Sequence, residues 1–504
     1  MSNITTNEVV ICKRCNFLTV SLFKFCQNCG AENSVSTSVS KVSTSFSDLD
    51  FNIITLLTSF IHSKFEPLKT YYSDDTYTSQ QWNAENTELC VLLSLNKHYR
   101  AYKAENYVFM LNKEYSLKYY NNTNCFPLKM NIDNPSKQLF LDLDDEDIEN
   151  VSVLGNVFSA CLVHNPRIKD VSALGNLHDL SLSGCTGITD VSALGNVYIL
   201  DLSGCTGITD VSALGNVYSL DLSDCTGITD VSALGSVHEL YLSDCTGITD
   251  VSALGSVHEL YLWGCTGITD VSALGNVYIL DLSGCTGITD VSALGSVHEL
   301  YLSDCTGITD VSSLGNVHKL YQWGCTGITD VSALGNVHAL NLSNCTGITD
   351  VSALGNVHTL NLSSCTGITD ISALGNVYDL NLSDCSGIVD VTALTNVHTL
   401  NLSLCLNLTS IRDLASVTCL KVYNCTAIED ITNLPNVTTI NANDCIKLKV
   451  LRNVPNLKSL SVRRCTQLEE LSYDTLSDES YDVDLTHCKK LRLIQFSNRK
   501  LTLR

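Results

Sequence analysis

Through the middle of this chain the apolar positions keep one spacing. In one stretch they are Leu200, Leu202, Cys205, Ile208, Val211, Leu214 and Val217, and the same set returns twenty residues later. Leu200 and Leu202 alternate with Asp201 and Ser203, which predicts a short strand with one face buried. Gly207 and Gly215 stand where the chain must turn, and positive φ is expected at both. Asp210, ahead of Val-Ser-Ala-Leu, predicts a capped single turn of tight helix on the far side. Each such coil leaves its strand edges open, so stacked coils are expected to share one parallel sheet. Cysteine recurs at every twentieth position from Cys185 to Cys465, fifteen in all. Asn165 holds the same slot one period earlier, and Cys488 continues it after a three-residue insertion. A fixed period of this length predicts a solenoid.

The pattern L-x-L-x-x-C-x-x-I-x-x-V-x-x-L resembles the short form of the leucine-rich repeat over about 150–495. LSGCTGITD is similar to the cysteine-bearing version found in many F-box proteins, and IxDVSxL to internalin-type repeats. The resemblance implies a repeat solenoid of twenty-residue coils. One long parallel β-sheet forms one side, with short turns or 3-10 helices on the convex side. It also implies that the Cys205 slot turns inward where asparagine usually bonds neighbouring backbone. A reduced cysteine fills such a slot as a small apolar residue with a weak S–H donor. A wire of metal-binding thiolates would need paired ligands converging on one ion, which a single file of thiols does not plainly supply. The aspartate column of Asp190, Asp210 and Asp230 admits two readings: backbone capping, or a row of weak cation sites.

Function is expected where the coil varies. Outward strand positions form columns on the concave face, the usual binding surface of solenoids. One column carries Tyr241, Tyr261, Tyr301 and Tyr321, followed by an asparagine run from Asn341 to Asn401 and then Lys421. A neighbouring serine column is broken by Trp263, Trp323, Tyr423 and Arg463, and a third adds Glu239, Glu259 and Glu299. Exposed Trp and Tyr are typical interface anchors, so Tyr241, Tyr261, Trp263, Tyr301, Tyr321 and Trp323 form the candidate partner-binding set. Residues 191–210 and 271–290 are identical, so simple copying of a coil stands beside selection for binding. The His/Tyr column from His178 to His358 predicts a stacked ladder at the strand entrance, with metal binding as the alternative.

Composition narrows the partners. Of 504 residues, 44% are hydrophobic and 7% aromatic, and the net charge is −23. Residues 171–410 hold 23 acidic groups against Lys319 alone, a balance of −22, whereas 411–504 balance at +3. A long acidic surface repels phosphate backbones and argues against nucleic acid. No apolar run reaches the ~18 residues of a membrane span. MSNITTNEVVICKRC lacks the basic and apolar regions of a signal peptide. The 24 cysteines are then expected to stay reduced in a cytoplasmic setting.

The N-terminal text differs. Cys12 and Cys15, then Cys26 and Cys29, give C-x2-C, ten residues, C-x2-C, a spacing able to offer four thiolates to one Zn²⁺. FLTVSLFKF between them has the apolar β-rich text of a hairpin, and the whole resembles a zinc ribbon (1–33) with one structural zinc. A two-zinc RING domain is not supported. Residues 34–46 read as a flexible linker, and 47–138 as helical, including TELCVLLSLNKHYRAYKAENYVFMLNKEYSLKYY. ELCVLLSLNKHYR resembles the second part of an F-box, without its usual Leu-Pro opening and with an insertion after the first helix. Two readings stand: an F-box-like segment using Ile53, Leu57, Leu92 and Leu95, or a cap over the first coil at Val151 and Leu154. The solenoid is expected over 139–495, with a tail at 496–504.

Together these parts resemble leucine-rich-repeat proteins encoded in large families by giant DNA viruses of amoebae, and the resemblance implies a cytoplasmic protein, in host cytoplasm if viral. The resemblance implies a monomeric, non-catalytic adaptor. Its solenoid would select a target while its F-box-like part recruits a Skp-type subunit of a cullin ubiquitin ligase. A free-standing module that sequesters host proteins is the alternative. No nucleophile–base pair, phosphate loop or carboxylate cleft is legible.

Overall fold

The computed structural model describes residues 9–11, 18–20, 108–111, 113–121, 138–473, 481–491, 493–496 and 501–503. The chain divides into two compact units, Met1–Tyr107 and Val108–Arg504. In the first, Val9–Ile11 pairs antiparallel with Leu18–Val20. The strand in the FLTV text therefore pairs backwards across Cys12 and Cys15. Those two residues, with Cys26, Cys29, Ile53, Leu57, Leu92 and Leu95, lie outside the described residues.

The second unit is the expected solenoid. Strands such as Ile199–Asp201 and Ser219–Asp221 lie side by side in parallel, with Leu200 opposite Leu220 and Asp201 opposite Asp221. The ladder runs past the strand ends: Leu202 N–H donates to Asp221 O at 2.8 Å and Gly204 N–H to Ser223 O at 2.8 Å. Leu200, Leu202, Cys205, Ile208, Val211, Leu214 and Val217 are all buried. A lone coil cannot bury that set or pair its strand edges, so each coil is stabilised by the coils on either side.

The sheet reaches beyond the range that periodicity marks. Val108–Leu111, read as part of a helical stretch, is a strand paired in parallel with Gln138–Asp142. Four consecutive apolar residues suit a buried strand as well as a helix, and the neighbouring strand decides between them. The helix is the shorter Lys113–Tyr120, which buries Tyr119. At the other end, Leu501–Leu503, in the expected tail, pairs with Tyr481–Val483.

On the side opposite the long sheet, single-turn 3-10 helices run from Ser152–Leu154 to Ser372–Asn376. Beyond them that side becomes a second, five-stranded parallel sheet: Ser410–Arg412, Asp430–Thr432, Val450–Arg452, Glu470–Tyr473 and Leu493–Phe496. In the 3-10 coils Asp210 Oδ1 accepts the Ser212 N–H at 2.9 Å, and Leu214 N–H donates to Val211 O at 3.0 Å. Capping thus describes the aspartate column. Hydrogen bonds from Ser212 hold the Asp210 carboxyl below the usual range.

The glycines act differently from expectation. Gly215 has φ −62°, and Gly207 is not in the positive-φ region either. Both are needed for close approach. A Cβ on Gly207 would sit 2.7 Å from Ile188 O, and one on Gly215 would overlap Ala233 O. Positive φ falls instead in the slot after the strand: Gly184, Gly204, Asp224, Asp244, Gly264, Gly284, Asp304 and Gly324. Gly, Asp and Asn fill most of that slot because they enter the left-handed region at least cost, and Ser364, Leu404 and Arg464 hold it in later coils with φ of 60°, 65° and 59°.

Candidate binding surface

Three ladders run through the coils, and each is built by register. The innermost is the cysteine file. Cys205 Sγ donates to Leu182 O at 3.2 Å and Cys225 Sγ to Leu202 O at 3.2 Å, so each thiol ties its coil to the one before. All the ladder cysteines from Cys185 to Cys465 are buried and free. Burial pushes the Cys205 thiol up to about 12 and Cys365 to about 11, so they remain protonated and unreactive. Asn165 fills the slot once. Its amide donates to Leu143 O, Leu162 O and Val163 O, and its carbonyl accepts Ile148 N–H. Cys488 continues the file by donating to Val462 O at 3.0 Å.

At the strand entrance the His/Tyr column is a continuous ring stack from Phe158 to His398. Tyr198 and Tyr218 are 4.7 Å apart, and His338 and His358 are 4.8 Å apart. The spacing is that of the strands themselves, so the stack follows from the sheet.

The third set lies on the outward face of the long sheet, where all six predicted anchors are placed. They form two groups. Tyr241 and Tyr261 stack at 4.6 Å, and Trp263 lies beside them, 50% exposed. Tyr301 and Tyr321 stack at 4.6 Å, with Trp323 beside them, 45% exposed. The coil of Ile279, Asp281 and Ser283 separates the groups. Three strand spacings, about 14 Å, part the two tryptophans. Each indole leans over the following coil: Ser283 and Ser343, one coil beyond Trp263 and Trp323, are buried, while the other described serines of that column are not. A methyl on Gly284 would come within 3.9 Å of Trp263 Nε1.

Carboxylates edge both groups. Glu239 stands directly opposite Glu259 in register, and Tyr261 Oη donates to Glu259 Oε2 at 3.2 Å. Sixty residues on, Glu299 stands opposite Lys319, whose Nζ is 2.8 Å from Glu299 Oε2. Tyr301 Oη also donates to Glu299. Burial raises the Glu299 carboxyl, but the Lys319 ammonium and the Tyr301 hydroxyl outweigh it and hold it below its usual range. Burial, with Glu239, Glu259 and Asp221 nearby, pushes the Tyr241 phenol up to about 12. Lys319 is the residue that the column reading left out, since the sequence marks it merely as a lone cation in an acidic array. Gln322 was passed over too. It replaces a core leucine beside Trp323, is fully buried, and neither its Nε2 nor its Oε1 meets a hydrogen-bond partner within the protein.

The fold is a leucine-rich-repeat solenoid with a cysteine in nearly every coil. No protein-family model matches the chain, and no curated protein matches it. Among solved structures it is similar to an internalin, InlF, of Listeria monocytogenes. That match is 21% identical, covers 54% of this chain and 84% of the other, and has a TM-score of 0.31. The functional domain of InlJ from Listeria monocytogenes, described as including a cysteine ladder, is 18% identical over 68% of this chain and 72% of its own, with a TM-score of 0.37. A leucine-rich-repeat protein of Leptospira interrogans is 16% identical over 68% and 98%, with a TM-score of 0.39. These are likenesses of repeat architecture, and the fold described above rests on this chain's own register.

The far end of the sheet presents less free charge than its composition implies. Arg464 Nη2 is 2.6 Å from Asp444 Oδ2, and Arg463 Nε is 3.4 Å from Asp484 Oδ2. Among the described residues no three His, Cys, Asp or Glu side chains converge as a metal would require. No described helix is long and apolar enough to cross a membrane.

Proposed function

We propose that the protein is a non-catalytic binding module that holds another protein on the outward face of its long sheet. One observation carries this reading: two tryptophans remain about half exposed on a rigid sheet, each beside a stacked tyrosine pair. Aromatic anchors with few rotatable bonds lose little entropy on binding, and such residues dominate interface energetics. The double variant Trp263→Ser/Trp323→Ser introduces the residue that most coils carry there. It is expected to keep the wild-type melting temperature and to lose, by about 2 kcal/mol or more, affinity for partners captured by the intact chain. Retention of every partner by that variant would remove the surface from consideration.

Two finer readings extend the proposal from the N-terminal sequence. The ELCVLLSLNKHYR text supports a role as substrate-recognition adaptor of a cullin-type ubiquitin ligase in the cytoplasm. Under that role Leu95→Asp abolishes binding of a Skp-type subunit without altering the melting of the repeats. If the wild-type chain brings down no such subunit, the free-standing sequestering module is the reading that remains. Cys12, Cys15, Cys26 and Cys29 would hold one structural zinc, and the antiparallel pairing of Val9–Ile11 with Leu18–Val20, which brackets the first cysteine pair, fits that arrangement. About one zinc per purified chain is expected, as four-thiolate structural sites carry.

A further inference from the structure

The two aromatic groups are nearly the same object built twice, and the difference between them names a ligand. Residues 241–265 read YLSDCTGITDVSALGSVHELYLWGC, and residues 301–325 read YLSDCTGITDVSSLGNVHKLYQWGC. Both give a stacked tyrosine pair, a following tryptophan, and a glutamate at the start of the first strand. They differ in the residue that faces this glutamate. In the second group it is Lys319, whose ammonium reaches Glu299 at 2.8 Å between the strands. In the first group it is Glu259, directly opposite Glu239. Like charges in direct cross-strand register are destabilising, and opposite charges stabilising. Among the described residues no lysine or arginine pairs with either glutamate, and the nearest basic atom to Glu239 is His238 Nδ1 at 3.9 Å. One group is thus filled by the chain's own ammonium, and the other is the same frame without it.

We propose that Glu239, Glu259, Tyr241 and Tyr261 bind a lysine side chain, or an arginine in its place, from a basic extended segment of a protein partner, with Trp263 past the strand end meeting another residue of that segment. This rests on the protein-binding reading and specifies its chemistry. The ammonium would lie between the two carboxylates, as Lys319 lies beside Glu299. The stacked Tyr241 and Tyr261 rings, the next outward residues on the same two strands, offer apolar contact to the lysine stem. The surrounding charge agrees: residues 171–410 carry −22, with Lys319 their sole Lys or Arg. A field of that sign attracts basic segments and speeds their encounter.

A fluorescent hexalysine peptide, and its counterpart acetylated on every side chain, can be titrated against the full chain. The salt should be about 150 mM, where charges more than ~8 Å apart are screened. Wild type is expected to bind the lysine peptide and not the acetylated one. Glu259→Lys, which copies the Lys319 arrangement, is expected to weaken binding at least tenfold while the melting temperature holds or rises. Asp379→Lys makes the same charge change in the same column six coils away and is expected to stay within about twofold. Lys319→Glu is expected to add a second equivalent of bound peptide. Equal weakening by Glu259→Lys and Asp379→Lys would show diffuse attraction and overturn the site, as would equal binding of the acetylated peptide or no binding by wild type. If the site fails in this way while Trp263→Ser/Trp323→Ser still loses captured partners, the surface stands and its basic chemistry falls. If the peptide result holds while that variant keeps every partner, the peptide site stands and the surface as the partner-holding face falls.

Discussion

The coils between Ser152 and Asn376 and those between Ser410 and Phe496 carry the same long sheet, the same leucine columns and the same thiol file, yet they close differently on the other side. The earlier coils close with a 3-10 turn and the later ones with a strand. The turn uses an Asp or Asn side chain to accept the N–H two residues on, as Asn150 does for Ser152 and Asp290 for Ser292, both at 2.9 Å. It also needs a glycine that lets the following coil's carbonyl come close. The first coil without a 3-10 helix, at 391–396, has Thr395 in place of that glycine. Later coils place Ala415, Pro435 and Pro455 there. They put Asp413, Asn433 and Asn453 in the left-handed region two residues earlier, where central coils carry alanine. Asn433 and Asn453 then bond coil to coil, with Asn453 Nδ2 donating to Asn433 Oδ1 at 2.8 Å. A solenoid therefore fixes its core and its sheet together, while the closing segment is chosen coil by coil by two or three residues.

The largest expected effect tests what the two regions share. Burial raises the thiols in both, Cys225 in the central coils and Cys445 near the end among them, from a usual value of 9.0. A raised folded value gives stability that is full below about pH 9 and is lost as pH climbs, because only the unfolded thiols ionise there. Each contributes a slope of roughly 1.4 kcal/mol per pH unit, and fifteen act in the same direction. Melting temperature should therefore fall steeply above pH 9 and be flat from 7 to 8.5. A profile flat to pH 10.5 would deny the file its role.

Next, Gly275→Ala should separate the regions. Its Cβ would overlap Ala293 O in the next coil, so a loss of about 1–3 kcal/mol is expected from overpacking. Ala415→Gly, in the equivalent slot of a strand-closed coil, should cost no more than about 1 kcal/mol. Urea midpoints decide it, and equal losses would mean that the glycine is not what the 3-10 coils require. Gln322→Leu restores the column residue and removes two unpartnered polar atoms. The nearby Cys325 N–H to Gln322 O bond is stretched to 3.5 Å, against 3.1 Å at Cys265. A gain of about 1–3 kcal/mol is expected, and a loss would show that Gln322 has a partner in solution.

The smallest effect contrasts caps. Asp290→Ala removes an N–H acceptor and should lower the melting temperature measurably, whereas Asp430→Ala removes an exposed ion pair with Arg412 and should hardly change it. Hydrogen bonds from Ser292 hold the Asp290 carboxyl down, so its contribution is present above about pH 4 and lost as pH falls through the lowered value. Asp290→Ala and wild type should converge once the pH has fallen through that lowered value.

The sequence by itself determined whatever depends on period. Twenty-residue spacing located the strands, the buried leucines and the thiol slot, because side chains on stacked coils have one inward direction and the register cannot slip without exposing all of them. It also marked Tyr241, Tyr261, Trp263, Tyr301, Tyr321 and Trp323 as outward. Contacts between coils decided the rest. Gly215 looked like a left-handed turn and is a point of close approach, since the carbonyl it must admit belongs to the next coil. Val108–Leu111 became a strand because Gln138–Asp142 lies beside it. The column of Glu239, Glu259 and Glu299 read as uniform acidity, until register set Lys319 against one glutamate and left the other two facing each other. Position along a chain records which residues repeat, but charge pairing and clearance depend on distances between residues twenty apart, and these exist once the coils are stacked.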